Sequence, residues 1–197
     1  MQVNARAGAA TSLVFFRPST REDTMANPIV AWHQEHVHFN QLLAQLQRQL
    51  DRFHGGEDPD YQLMLDVIGY LRDFGDQYHH PREDEAFRRL LVHCPDRELP
   101  IARLLQEHRV IAHAGEKLRE LLEQAANDAI VERGEIEVAA ATYLVYYGNH
   151  IAREEEDVLP RAARHLTADD WQAVKAAAPA APPPQWPMSP IGLSDAR

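Results

Sequence analysis

Two histidine–glutamate pairs repeat one phrase along the chain. His79 is followed on the next helical turn by Glu83, in His79-His80-Pro81-Arg82-Glu83, and His150 by Glu154, in His150-Ile151-Ala152-Arg153-Glu154. Each pair comes at nearly the same interval after an isolated Glu-His, Glu35-His36 before the first and Glu107-His108 before the second. Residues four apart on a helix share a face, with side chains roughly 6 Å apart, so an imidazole and a carboxylate at this spacing can close on one small cation. The repetition points to two similar helical hairpins holding a metal pair between them. The candidate ligands are His36, His79, Glu83, His108, His150 and Glu154.

The residue types narrow the metal. The single cysteine, Cys94, cannot make an internal disulfide or a thiolate-based zinc or iron–sulfur site. Imidazole with carboxylate and no thiolate suits iron, manganese or zinc, with iron preferred. Glu83 and Glu154, arriving from opposite hairpins, are the natural bridges between two ions. Burying these groups unpaired would be costly, and a dication that ligates neutral imidazoles and neutralises carboxylates removes the cost. Without the cation, the two glutamates should repel each other in a low-dielectric core and one should take up a proton.

Four helices must bring these residues together. Ile29, Trp32, His36, Phe39, Leu43, Leu46 and Leu50 follow steps of three and four, the seam of a bundle helix with a histidine on it. A second segment, about Asp60 to His93, carries Leu65, Ile68, Gly75, His79, Glu83, Ala86 and Leu90 on one stripe, with a kink expected at Pro81. A third, about Leu99 to Ala126, places His108 among Ile101, Leu104, Ile111, Gly115, Leu118 and Leu122. A fourth, about Gly134 to Arg164, lines up Ile136, Ala140, Tyr143, Tyr147, His150, Glu154 and Val158. Short connections near residues 54–59, 95–98 and 128–133 predict antiparallel neighbours: an all-α, up-down-up-down four-helix bundle over residues 25–177. Thr167-Ala168-Asp169-Asp170 is a capping sequence opening a short C-terminal helix to about Ala177. Residues 1–24 read as a disordered leader, or as sequence ahead of a start at Met25, and 178–197 as an Ala/Pro-rich extended tail.

A formal charge of -10 and a pI near 5.5 argue against a nucleic-acid or anionic-membrane partner, since the electrostatic term both require would be repulsive. No apolar run approaches the ~18 residues that span a bilayer, and the expected address is cytoplasmic.

The phrases Glu35-His36, YHHPREDEAF (78–87), QEH (106–108) and NHIAREEEDVLP (149–160) resemble the hemerythrin-like, HHE cation-binding family over about residues 27–175. The resemblance implies a four-helix bundle enclosing a non-haem di-iron centre, two Fe ions with an oxo or hydroxo bridge, Mn or Zn being the other candidates. It also implies small partners: O2, nitric oxide or a related oxidant to be bound or sensed, or, alternatively, peroxide consumed by an oxidoreductase. Oxygen carriers of the family place a further histidine four residues after the third helix's ligand, but here that position is Ala112, and His113 is rotated about 140° away. Four histidines with two glutamates predict a nearly symmetric centre with open positions on both metals, favouring reactivity over reversible O2 storage.

Neighbouring residues have plainer expectations. His80, about 100° around the helix from His79, is expected outside the ligand set, supporting or exposed. His33 is a weaker ligand candidate, and His38, His54, His93 and His165 read as surface residues. Tyr143 and Tyr147 pack in the core above His150. Arg82 and Arg153 are assigned to solvent, and Glu155, Glu156 and Asp157 to a solvated face. For Glu35 and Glu107 two roles stay open, orienting a neighbour or supplying a ligand.

Overall fold

The computed structural model describes residues 28–177; the expected leader, the choice between Met1 and Met25, and the tail lie outside the described residues. Within them the secondary structure is helical, and no strand occurs. The elements are α1 (Pro28–His54), α2 (Tyr61–Tyr70), a π-helical run π1 (Leu71–His79), α3 (His80–His93), a 3-10 turn (Pro95–Arg97), α4 (Glu98–Ala126), α5 (Arg133–Arg153), a second π-helical run π2 (Glu154–Val158), α6 (Leu159–His165) and α7 (Ala168–Ala176). α2–π1–α3 is one continuous rod and α5–π2–α6 another, so the described chain forms four long rods and a short closing helix. No helix among these residues is long and apolar enough to cross a membrane.

Both π-helical runs stop just ahead of a proline. Pro81 and Pro160 lack an N–H and collide with the carbonyl four residues back, so the regular α ladder cannot continue through them. The residue before each proline instead donates one residue further back: His80 N–H to Gly75 O and Leu159 N–H to Glu154 O. Just ahead of Pro81, where a kink was expected, the helix takes up π geometry. π-Helical turns carry an extra residue per turn and often mark functional sites; here one run ends on His79 and the other begins on Glu154.

Rod contacts run in opposite sequence order. Phe53 meets Tyr61, Phe39 meets Phe74 and His36 meets His79 between the first two rods. His54 pairs with Glu137 and Phe39 meets Tyr147 between the first and the fourth.

Most of the expected seams are buried, including Trp32, His36, Phe39, Leu43, Leu46 and Leu50 on α1, and Ile101, Leu104, His108, Ile111, Leu118 and Leu122 on α4, while Ile29 and Leu65 are half-buried and Met64 and Val67 are buried beside Leu65. The buried apolar residues form two clusters, one around Phe39, Leu46, Ile111, Leu118, Tyr143 and Tyr147, the other around Trp32, Phe87, Leu90, Ile101, Leu104 and Val158. Every rod passes from one cluster to the other through a histidine or glutamate. Thr167 caps α7 as expected, accepting from Asp170 N–H at 3.3 Å while Asp170 Oδ2 accepts from Thr167 N–H at 2.9 Å.

Candidate metal centre

The polar layer between the two apolar clusters holds His36, His79, Glu83, His108, His150 and Glu154 together, none more than 7% exposed. Nδ1 of each of the four histidines donates to a carboxylate. His36 is backed by Glu155 at 2.8 Å, His79 by Glu35, His108 by Asp84 at 2.7 Å and His150 by Glu107 at 3.3 Å. Such partners fix the tautomer and the ring orientation, as behind metal-ligating imidazoles generally.

With its Nδ1–H so engaged, a neutral imidazole has only a lone pair on Nε2. Yet His36 Nε2 and His79 Nε2 lie 2.9 Å apart, as do His108 Nε2 and His150 Nε2. Two lone pairs at that distance require shared positive charge, either a proton or a cation. The glutamates make the same point. Glu83 Oε1 is 2.8 Å from His79 Nε2 and 3.3 Å from His36 Nε2, and Glu154 Oε1 is 3.0 Å from His150 Nε2. Nevertheless all four oxygens of Glu83 and Glu154 are buried without a hydrogen bond. These donors converge on common space rather than pairing with one another, and the set fits a metal. Two groups have ligand-capable atoms within 4.8 Å of one another, His36–His79–Glu83 and His80–Glu83–His108–His150, with Glu83 common to both.

In the metal-free protein the charge balance differs from the sequence expectation. Burial would raise the Glu83 and Glu154 carboxyls, but the surrounding imidazoles, His79 and His108 foremost for Glu83, hold both below the ordinary range. Burial would likewise lower His36 and His108, yet Glu155 and Glu83 raise His36 to about 10, and Asp84, Glu154 and Glu83 push His108 well above its usual value. The facing imidazoles thus oppose the rise that burial alone would give the two carboxyls.

The supporting residues repeat between the hairpins. Glu35, next to His36, serves His79 and is gripped by Arg82 at 2.6 Å; Glu107, next to His108, serves His150 and is gripped by Arg153. Arg82 thus leaves its expected place in solvent: it is 12% exposed and lies over the Tyr78 ring. Arg153 is bound in the same way at the edge. Burial would raise the Glu107 carboxyl, but His150, Arg103 and Arg153 bring it down to about 2. Glu155 leaves the solvated face expected for it and crosses to His36, while Asp84, unremarked in the sequence, crosses to His108. The signal for both was available, since each directly follows a candidate ligand in Arg82-Glu83-Asp84 and Arg153-Glu154-Glu155.

Of the two places expected for His80, supporting or exposed, it takes the buried one: it is 4% exposed, and burial pushes its imidazole well below its usual value. His33 is exposed and bonds Glu155 at 3.0 Å. His54, His93 and His165 are exposed as expected, while His38 is half-buried against Tyr70. Tyr143 and Tyr147 are fully buried, as expected.

A family model described as Hemerythrin HHE cation binding domain matches residues 27–162. The chain belongs to this family. No curated protein and no solved structure matches it significantly. The hemerythrin-like assignment agrees with the site: the matched span contains all the histidines and glutamates of the polar layer, among which the groups His36–His79–Glu83 and His80–Glu83–His108–His150 could hold a metal ion.

Proposed function

We propose that this hemerythrin-like protein binds two metal ions, iron in both positions, through His36, His79, Glu83, His108, His150 and Glu154, and that the centre takes up O2, nitric oxide or a related small oxidant. The bundle of residues 25–177 is then an up-down-up-down four-helix arrangement, a reading supported by the reversed order of the rod contacts. The observation that carries the metal reading is the convergence of four orphaned carboxylate oxygens and paired Nε2 atoms in a water-poor layer. Iron, when bound there, supplies a redox-active pair with affinity for small oxygen and nitrogen species. The protein's own part is to hold each ring through a carboxylate on Nδ1, which makes the imidazole a better donor. Burial restricts access to molecules of a few atoms, since no candidate ligand exceeds 7% exposure.

Protein loaded with iron under reducing conditions and desalted should carry two irons per chain, and the double variant His79→Ala/His150→Ala should lose most of both. One iron or fewer in the parent protein would overturn the two-metal reading. Exposure of the reduced, loaded protein to air or nitric oxide should change its visible spectrum; an unaltered spectrum would overturn the small-oxidant reading.

A further inference from the structure

His80 lies at the polar layer but outside the proposed ligand set. Its ring stacks on His108 with centroids 4.1 Å apart and planes 11° apart, and stands edge-on to His150 at 5.7 Å and 81°. One of its nitrogens falls within 4.8 Å of ligand-capable atoms of Glu83, His108 and His150. Its Nδ1 is 3.3 Å from Asp76 Oδ1, so a carboxylate stands beside this ring's Nδ1 as one does for each of the other four buried histidines. That Asp76 oxygen is itself buried without a hydrogen bond. Simple core packing accounts for the stack on His108, but it does not account for a carboxylate brought into the interior behind the same ring.

The backbone explains how two adjacent histidines both reach the interior. On a regular α-helix His79 and His80 would diverge by about 100°. Here the π-helical run ends on His79, and its extra residue per turn narrows the angle between successive side chains.

We infer that His80 is a ligand of one of the two cations, which makes the metal positions unequal: His36 and His79 serve one, and His80, His108 and His150 serve the other, with Glu83 common to both and Glu154 between them, 3.0 Å from His150 Nε2 and 3.5 Å from His36 Nε2. Asp76 positions the His80 ring. The near-symmetric centre expected from the sequence becomes one with a more saturated and a more open position. The inference rests on the two-metal reading, and the test keeps the two apart.

Stepwise Zn2+ affinities are measured by chelator competition on the full chain, with helical content checked by circular dichroism. His80→Gln keeps most of the side-chain volume, and His80→Ala removes it. Both variants should weaken one Zn2+ equivalent by at least about tenfold and leave the other within about twofold, and Asp76→Asn should weaken the same equivalent less. His79→Ala should weaken the opposite one. Two unaltered equivalents in a folded His80→Gln protein would overturn the inference and leave the two-metal reading standing. Fewer than two equivalents in the parent protein would overturn both. If His80→Ala does not fold, His80→Gln decides; and 57Fe Mössbauer spectra of the loaded parent should resolve two iron environments, a single environment counting against the inference.

Discussion

Gly75 sits in π1 opposite Tyr147, and a Cβ added there would stand 2.5 Å from the tyrosine Oη, with Cζ next at 3.7 Å. The first distance is a collision and the second an ordinary contact, so the hydroxyl alone forbids a side chain at this position. That hydroxyl is buried without a hydrogen-bond partner. Gly75→Ala should cost about 1–3 kcal/mol of overpacking, less the about 0.5–1 kcal/mol that alanine returns over glycine inside a helix. Gly75 does not have the positive φ found at Gly56, so alanine brings no backbone penalty. Tyr147→Phe should be neutral or stabilising by itself, because it removes a desolvated group with nothing to bond. In the Tyr147→Phe background the sign of Gly75→Ala should reverse to a gain of about 0.5–1 kcal/mol, a coupling of about 1–3 kcal/mol between the sites. Urea unfolding of all four proteins in excess chelator, which holds metal content constant, measures the cycle. Equal destabilisation by Gly75→Ala in both backgrounds would refute the steric argument, and a large loss from Tyr147→Phe alone would show that the hydroxyl has a partner.

Three further outcomes follow from the metal and the charges. His36, raised to about 10, carries a proton at neutral pH without metal, so binding at pH 7 should release at least one proton per chain, read by calorimetry in buffers of different ionisation enthalpy; no buffer dependence would contradict it. The same cation should raise the melting temperature, by an amount set by its concentration relative to Kd. At the N-cap of α7, the Thr167 backbone and hydroxyl, with Arg89, hold the Asp170 carboxyl well below its usual range. A depressed folded-state value stabilises above the unfolded value and fades as pH falls below it, so the melting-temperature gap between the parent protein and Asp170→Asn should be present at pH 5 and shrink below about pH 4. A gap independent of pH would assign the effect to something other than the charge.

The rods and the histidine layer were legible in the sequence because both rest on local periodicity. Steps of three and four identify a helix face whatever it packs against, and His36, His79, His108 and His150 replace apolar residues on four such faces. The Thr167–Asp170 cap was legible for the same reason, since its hydrogen bonds span three residues. What the pattern could not supply was anything depending on a second rod. Arg82 and Glu155 look like solvated charges on their own helices; only the neighbours that bring Glu35 to one and His36 to the other remove them from solvent. The charge environment of the two glutamates was only half legible: His79 and His150 lie on the same rods as Glu83 and Glu154, whereas His36 and His108, which also face them, come from other rods. The burial of His80 beside His79 has a backbone reason. The angle a sequence pattern gives to adjacent residues is that of an α-helix, whereas a proline two residues beyond His79 converts that turn to π geometry, and the helix face moves with it.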